Sequence, residues 1–239
     1  MTDLLLVHGS CHGAWCWRDL IPALTERGIS ARTLDLPGHG ADQTETTDLA
    51  AISLEDTAKA IRAHTSAETI VLGHSWGGYP ITAAADLGEQ LRGLIYLCAY
   101  VPKPGLSMID MRKASPRQTL TGKTRKSPDG ASYRFASEFA ADLLYHDCSA
   151  EVVDYALPRL CAQAITPQDT PYHPGTTWAE TPKAYIRCTQ DRVIPPEYQA
   201  QMVADWHPET VHALARSHSP FFSAPQELAG LIATITKDM

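Results

Sequence analysis

Short apolar runs alternate along this chain with longer segments in which apolar residues recur at helical spacing. This alternation is typical of parallel strands that are joined by crossover helices. It predicts an α/β fold with an open, mostly parallel sheet of about six strands, flanked by helices. The predicted strands are residues 3–7, 30–35, 69–72, 93–98, 183–188 and 210–214, and the predicted helices are residues 14–27, 53–65, 77–87, 196–206 and 225–235.

The segment between residues 102 and 182 interrupts this alternation. It shows no clear strand, is rich in Pro, Ser, Thr and Lys, and holds apolar helical patches near residues 135–145 and 150–165. A connection of this length with partial structure of its own is more often a functional lid than a linker. We therefore predict a core of residues 1–101 and 183–239, with an inserted cap of residues 102–182.

Composition and charge limit the partners that this chain can have. The 239 residues carry a formal net charge of -7, which argues against binding to a nucleic-acid backbone. The only basic cluster, Lys123 to Lys126, adjoins Ser-Pro-Asp-Gly and is predicted to be a solvated loop. No apolar stretch approaches the roughly 18 residues that span a bilayer, and the first residues lack the pattern of a signal peptide. We expect a cytoplasmic protein with no nucleic-acid or membrane partner.

The strongest chemical signal is the sequence Gly-His-Ser-Trp-Gly at residues 73–77. This Gly-x-Ser-x-Gly motif lies between an apolar predicted strand and an Ala-rich predicted helix, the context in which such a serine is a nucleophile. The flanking glycines relieve clashes on a strained strand-to-helix turn, and the start of the helix offers backbone N–H groups to a developing oxyanion. Ser75 is therefore the predicted nucleophile.

A serine hydroxyl needs a base to take its proton, and the base needs an acid to orient it. Of the ten histidines, His218 follows the last predicted strand and precedes the final helix, where it can reach the serine. Asp191 follows the fifth predicted strand and precedes a loop, whereas Asp35 ends an earlier strand and Asp205 lies in a helix. The resulting chain order of Ser75, Asp191 and His218 is the order expected of an α/β-hydrolase.

The oxyanion of the transition state needs two backbone donors. The amide of Trp76, directly after the nucleophile, is one of them, and the loop after the first strand can supply the other. In that loop, Gly9 lets the backbone turn the Ser10 amide toward the substrate carbonyl. The alternative interpretation of this loop, a tight turn into the first helix, is compatible with the same role.

Motifs spread over nearly the whole chain carry a family resemblance. They are LVHGSCHGAW at residues 6–15, DLPGHG at 35–40, GHSWGG at 73–78, QD at 190–191 with PPEYQ at 195–199, HSP at 218–220 and, in the cap, YHDC at 145–148. With these motifs the chain resembles the plant methylesterase and hydroxynitrile lyase family and its bacterial esterase relatives, which have the α/β-hydrolase fold with an inserted cap.

The family that the chain resembles carries out two chemistries on one triad. The lyases have a threonine in the place of Gly9 and a lysine in the place of Ser219, which hold the cyanohydrin and stabilise the departing cyanide, and both are absent here. In the ester-cleaving relatives the motif commonly reads Gly-His-Ser-x-Gly, and His74 matches it. The resemblance implies a serine carboxylesterase that cleaves a small-molecule ester in two acyl-transfer steps without a metal or an organic cofactor, and it is compatible with a homodimer.

Other functions remain open at this point. The same triad suits a hydroxynitrile lyase-like enzyme, or a hydrolase of a lactone, a thioester or a carbon–carbon bond, and some members of the fold are non-catalytic receptors for small molecules. A haloalkane dehalogenase is disfavoured because its nucleophile is an aspartate where Ser75 stands. A zinc hydrolase is disfavoured because no His, Cys and Asp grouping has ligand spacing. Residues that suit either a substrate pocket or plain core packing are Trp76, Phe135, Phe139, Leu144, Phe221 and Phe222.

Overall fold

The computed structural model describes residues 2–44 and 47–239. Met1, Glu45 and Thr46, which fall within the predicted core segment of residues 1–101, lie outside the described residues. The strands, in chain order, are β1 (Thr2–Val7), β2 (Ile29–Thr33), β3 (Thr69–His74), β4 (Gly93–Leu97), β5 (Thr124–Lys126), β6 (Ser132–Phe135), β7 (Gln163–Ala164), β8 (Lys183–Cys188) and β9 (Val211–Leu214). The α-helices are α1 (Leu20–Thr25), α2 (Leu54–Arg62), α3 (Gly78–Ala85), α4 (Met108–Ala114), α5 (Ser137–Leu144), α6 (Ala150–Ala156), α7 (Thr166–Asp169), α8 (Thr176–Glu180), α9 (Pro196–Met202), α10 (Pro220–Ser223) and α11 (Pro225–Ile235).

Six strands form the central sheet, in the spatial order β2-β1-β3-β4-β8-β9, and every neighbouring pair is parallel. The prediction of a mostly parallel sheet of about six strands is therefore confirmed. The chain winds outward from β1 to β2 in one direction and from β3 to β4 in the other, so right-handed crossovers place α1 and α3 on opposite faces. Strand β3 lies inside the sheet, and all its residues are buried.

The register of the sheet brings three loops together at one edge. Val7, the last residue of β1, pairs with Gly73 near the end of β3, and His74 pairs with Leu97, the last residue of β4. The loops after these strands therefore leave the sheet side by side, at the carboxyl edge where parallel sheets hold their chemistry.

Helices cover the sheet and bury its apolar residues. Helix α1 packs against α11, and α2 packs against α3. Helix α2 begins with a reciprocal cap, because the Ser53 hydroxyl accepts from the Asp56 amide at 3.1 Å and the Asp56 carboxylate accepts from the Ser53 amide at 2.9 Å. Its buried residues Leu54, Ala58 and Ile61 recur at helical spacing and form the face toward the core. Among the described residues, no helix combines the length and the apolar character needed to cross a membrane.

Residues 102–182 contain helices α4 to α8 and a second, antiparallel sheet in the order β5-β6-β7. The sequence pattern predicts no strand here and is wrong on this point. Strands of three, four and two residues are too short to show a periodicity. The basic cluster expected as a loop largely forms β5, in which Arg125 and Lys126 are exposed. The division of the chain into core and cap stays a prediction.

Candidate active site

Ser75 lies on a sharp turn between β3 and α3. Its φ of 56° is in the left-handed region, which residues other than glycine rarely adopt. Ser75 is also the first residue of a short 3-10 turn, Ser75–Gly77. A Cβ atom on Gly73 would lie 2.7 Å from the Gly77 carbonyl oxygen, and one on Gly77 would lie 2.8 Å from the His8 carbonyl oxygen. The turn therefore requires glycine at both positions, which is the physical reason for the Gly-x-Ser-x-Gly pattern.

The structure brings the predicted triad into one line of hydrogen bonds. The Ser75 hydroxyl is 3.1 Å from Nε2 of His218, and Nδ1 of His218 is 2.8 Å from Oδ2 of Asp191. All three residues are buried, with 6% of Ser75, 2% of His218 and 4% of Asp191 exposed. In this arrangement Nδ1 of His218 donates to the carboxylate, so that Nε2 is free to accept the serine proton.

Asp191 is held in place by donors on both of its oxygens. Oδ1 accepts from the amides of Val193 at 2.7 Å and Ile194 at 3.0 Å, and Oδ2 accepts from Nε2 of Gln199 at 2.9 Å. Gln199 is itself fixed, because its Oε1 accepts from the Cys188 amide at 2.9 Å. This network aims Oδ2 at the imidazole. Gln199 carries no catalytic signature in the sequence, and only its place in the PPEYQ run of the resemblance pointed to it.

The other carboxylates weighed in the sequence lie elsewhere. Asp35 accepts from the amides of Ala14 at 2.7 Å and Ala41 at 3.0 Å, and so ties two loops together. Asp205 is exposed to solvent. Among the carboxylates of the described residues, Asp191 is the one hydrogen-bonded to His218.

The loop after β1 is fixed beside Ser75, as an oxyanion site requires. The Ser10 amide forms no backbone hydrogen bond within the described residues. The Ser10 carbonyl oxygen accepts from Nδ1 of His12 at 2.8 Å, and the Ser10 hydroxyl accepts from Nε2 of Gln168 at 2.7 Å. No motif in the sequence predicts a role for Gln168, which lies on α7. These contacts hold the peptide in a fixed orientation, and the Ser10 side chain lines the same cleft as Ser75.

Gly9 packs directly against the residues of the β3 turn. A Cβ atom at this position would lie 2.7 Å from Nδ1 of His74 and 2.8 Å from the Cβ atom of Ser75. The absence of a side chain here therefore permits the close approach of the two loops. Any larger residue has to displace the nucleophile or the histidine beside it.

His74 supports the triad through a hydrogen bond to the backbone of His218. Its Nε2 is 2.8 Å from the carbonyl oxygen of His218 and donates to it, and the two rings lie 4.6 Å apart. Complete burial, with the nearby His218 ring as a smaller contribution, lowers the pKa of His74 well below its ordinary value. A neutral ring with its proton on Nε2 leaves Nδ1 bare, and Nδ1 is indeed buried without a hydrogen-bond partner. His74 thus fixes the backbone of the predicted base.

His12 links the loop after β1 to the segment of residues 102–182. Burial lowers the pKa of His12 to about 4, so its ring is neutral near neutral pH. Its Nδ1 donates to the Ser10 carbonyl, and its Nε2 accepts from the Tyr145 hydroxyl at 2.7 Å. The position of the Ser10 peptide therefore depends on a tyrosine at the end of α5.

A small cleft opens beside Ser75. Of the pocket candidates from the sequence, Phe135 and Leu144 line it. Phe139 is instead 37% exposed, and Trp76 is fully buried, with its ring stacked on His39 at 5.6 Å. Phe221 and Phe222 are buried in the core as well. The residues that line the cleft are Ser10, Ser75, Tyr100, Met108, Arg112, Leu120, Tyr133, Phe135, Leu144, Val193 and His218.

Within the part of the chain that the structure describes, one group of side chains has the types and proximity that a metal ion needs. The ligand atoms of His74, Cys98 and His218 all lie within 4.8 Å of one another. Both ring nitrogens of His218 are already engaged with Ser75 and Asp191. Burial raises the pKa of the Cys98 thiol well above its ordinary value, which disfavours the thiolate that a metal prefers. A metal here would have to displace the triad, so the grouping fits a hydrogen-bonded site better than a metal centre.

Comparison with known proteins places this geometry in context. Residues 4–231 match the model of a family described as the alpha/beta hydrolase family. Methylesterase 18 of Arabidopsis thaliana is 31% identical, over 94% of this chain and 93% of its own length. The pyrethroid hydrolase of Sphingobium wenxiniae is 28% identical, over 98% of this chain and 87% of its own length. A crystal structure of a pyrethroid hydrolase matches with a TM-score of 0.85 at 26% identity, covering 99% of this chain and 98% of that one. The resemblance to plant methylesterases and bacterial esterase relatives is confirmed.

Proposed function

The chain belongs to the alpha/beta hydrolase family, and from this premise we propose that it is a serine carboxylesterase acting on small carboxylic esters through an acyl-enzyme. The observation that carries the proposal is the buried hydrogen-bonded line from Ser75 through His218 to Asp191. The matched relatives, a methylesterase and a pyrethroid hydrolase, support ester hydrolysis as the reaction type.

In the first half-reaction the Ser75 oxygen attacks the ester carbonyl while its proton moves to Nε2 of His218. Asp191 stabilises the imidazolium that forms. The negative charge that develops on the carbonyl oxygen is received by the amides of Ser10 and Trp76, each donor contributing about 3 kcal/mol of transition-state stabilisation. His218 then gives its proton to the departing alcohol, which leaves the acyl group on Ser75.

In the second half-reaction a water molecule gives a proton to Nε2 of His218 and attacks the acyl carbonyl. The same two amides receive the oxyanion, and collapse of the tetrahedral intermediate releases the acid as the proton returns to Ser75. His74 and Gln199 take no proton in these steps. They hold the base and the acid in position by donating hydrogen bonds to the His218 carbonyl oxygen and to the Asp191 carboxylate.

Two positions favour ester hydrolysis over cyanohydrin cleavage. A threonine at Gly9 has no room, since its Cβ atom would lie 2.7 Å from Nδ1 of His74. Ser219 stands where the lyases have a lysine, so this position offers no positive charge to a departing cyanide. Ester hydrolysis needs only the two amides and a water molecule.

The proposal is tested by hydrolysis of p-nitrophenyl acetate and butyrate, with release of cyanide from mandelonitrile measured in parallel. Ser75→Ala should lower kcat for both esters by roughly 10⁴-fold or more, because the nucleophile is lost. Ser137→Ala, which removes an exposed hydroxyl at the start of α5, is the matched control and should keep wild-type rates. Ester turnover that survives Ser75→Ala, or cyanide release without ester turnover, would overturn the proposal.

A further inference from the structure

Arg112 is the one cationic side chain that lines the cleft beside Ser75 among the described residues. It lies on α4 and is partly buried. Its guanidinium forms no hydrogen bond or ion pair with any described residue, whereas Arg117 is paired with Glu197 and Arg125 with Glu138. A guanidinium without a protein partner keeps its N–H donors free for a bound anion.

The acidic groups near Arg112 are not among the described residues that line the cleft, since none of those residues is an Asp or a Glu. Asp110, on the same helix, accepts from the Ser107 amide at 3.1 Å and the Ser107 hydroxyl at 2.7 Å. The same carboxylate is 3.8 Å from Nζ of Lys113. Asp169 lines a neighbouring hollow that Arg112 also borders, together with Lys126. The positive charge of Arg112 is therefore not neutralised within the cleft.

The positive charge of Arg112 acts on two tyrosine hydroxyls in the wall of the cleft. Burial raises the pKa of both Tyr100 and Tyr133, and the nearby guanidinium of Arg112 opposes this rise at each hydroxyl. Both tyrosines line the cleft beside Ser75. A negatively charged group on a ligand in this cleft would be attracted by the same charge.

We propose that Arg112 binds a free carboxylate on the substrate, so that the preferred esters of this enzyme carry a carboxylate in addition to the ester group. This inference rests on the proposed esterase function and names its substrate class. The planar guanidinium presents parallel N–H donors that match the two oxygens of a carboxylate. The remaining wall is largely apolar and suits the hydrocarbon chain between the two groups, through Met108, Leu120, Phe135, Leu144 and Val193.

The charge of the cleft favours a carboxylate over a phosphate. A phosphate carries more charge and usually needs more than one cation or a set of backbone amides. The neighbouring Lys113 is exposed and paired with Asp110, and Arg112 is the one lysine or arginine among the described residues that line the cleft.

The test compares esters that differ only in the free carboxylate. Monomethyl succinate, glutarate and adipate place the carboxylate on the acyl part, and their dimethyl esters are the neutral counterparts. Acetoxyacetate and 3-acetoxypropionate, with their methyl esters, place it on the alcohol part. We expect the wild type to prefer one anionic set. Arg112→Met should reduce the anionic-to-neutral ratio of kcat/KM by roughly tenfold to a hundredfold, mainly through KM.

Two further variants separate a bound carboxylate from general electrostatics. Lys113→Met removes the same charge from the next position of α4 and should leave the ratio as it is in the wild type. Arg112→Lys keeps a charge but loses the planar pair of donors, and should restore only part of the preference. A ratio that is the same in the wild type and in Arg112→Met, or that falls equally in Lys113→Met, overturns the proposal.

A binding measurement keeps this inference separable from the esterase function. In the Ser75→Ala background, calorimetry with monomethyl glutarate and acetoxyacetate should show weaker binding by roughly tenfold or more after Arg112→Met. Equal affinity with and without Arg112 overturns the carboxylate site even if the wild type is an esterase. Absence of any ester turnover by the wild type overturns the esterase function, and the same calorimetry then decides the carboxylate site.

Discussion

At the scale of single residues, the site is held by hydrogen bonds from groups that do no chemistry. Asp191 accepts from two amides, from Gln199 and from His218, and each bond fixes the direction of its carboxylate. His74 fixes the carbonyl of His218 in the same way. The reacting atoms therefore keep their alignment without help from a substrate.

Asp191→Asn should lower kcat by roughly 10³-fold to 10⁴-fold while leaving the fold intact. The amide can donate to Nδ1 of His218, which stabilises the tautomer with its proton on Nε2 and removes the acceptor for the Ser75 proton. Steady-state kinetics with p-nitrophenyl butyrate measures the effect. Asp205→Asn, at an exposed carboxylate, is the matched control and should keep wild-type kcat. An equal loss in both variants, or in neither, would contradict the assigned role.

Gly9→Ala should lower kcat/KM at least roughly tenfold, because the added methyl group must displace Ser75 or His74 from positions 2.8 and 2.7 Å away. Gly230→Ala is the matched control, since the nearest atom to its Cβ would lie 3.8 Å away, on Arg27. Because Gly230 lies within α11, the control should stabilise the fold by up to about 1 kcal/mol and leave kcat/KM unchanged. Wild-type kinetics in Gly9→Ala would show that the two loops are not in close contact.

The sequence predicts the triad residues because each is chemically reactive and lies just after a predicted strand. Ser75 has a motif, and the positions of His218 and Asp191 follow from the expected sheet. Gln168 and Arg112 have no such signal. They lie on helices of the 102–182 segment, and their proximity to Ser75 depends on how those helices pack, which a local pattern does not encode.

At the scale of elements, the central sheet agrees closely with the bounds predicted from the sequence, whereas the segment of residues 102–182 does not. The six strands of the central sheet lie within two residues of their predicted bounds, because buried parallel strands are apolar runs with clear ends. The predicted helix at residues 14–27 is instead a 3-10 turn, Ala14–Trp17, followed by α1, which has a proline in its first turn. The short antiparallel strands are held by tertiary contacts and leave no pattern.

Tyr145→Phe should lower the free energy of unfolding by about 1–3 kcal/mol, because it leaves buried Nε2 of His12 without a donor. Urea denaturation measures this change. Tyr155→Phe is the matched control, since the Tyr155 hydroxyl is 3.5 Å from the Trp15 carbonyl and only partly buried, and it should cost much less. Equal effects of the two substitutions would contradict the proposed link between α5 and the loop after β1.

At the scale of the whole molecule, buried histidines make stability depend on pH. Burial lowers the pKa of His12 to about 4, and lowers the pKa values of His8 and His74 well below the ordinary 6.5. Between about pH 6.5 and pH 4 the unfolded chain therefore binds more protons than the folded chain. The free energy of unfolding is highest above this range and falls as the pH falls through it.

Protonation of His12 alone should lower the free energy of unfolding by about 3 kcal/mol as the pH falls from 6.5 to below 4. Each unit of difference between the folded and unfolded pKa values contributes about 1.36 kcal/mol. Urea denaturation at a series of pH values measures the slope, and His12→Gln should make it shallower. Asp3, whose pKa is lowered mainly by its hydrogen bond from Arg32, contributes only below this range. A free energy of unfolding that stays constant from pH 6.5 to 4 would contradict the account.

The central claim is that Ser75 is an activated nucleophile, and the most direct test is covalent labelling with diisopropyl fluorophosphate followed by peptide mass spectrometry. The serine oxygen displaces fluoride and keeps the phosphoryl group, so no turnover is needed for detection. We predict a label on Ser75 that is absent in Ser75→Ala and forms far more slowly in His218→Ala. A label on another residue, or labelling that persists in Ser75→Ala, would contradict the account.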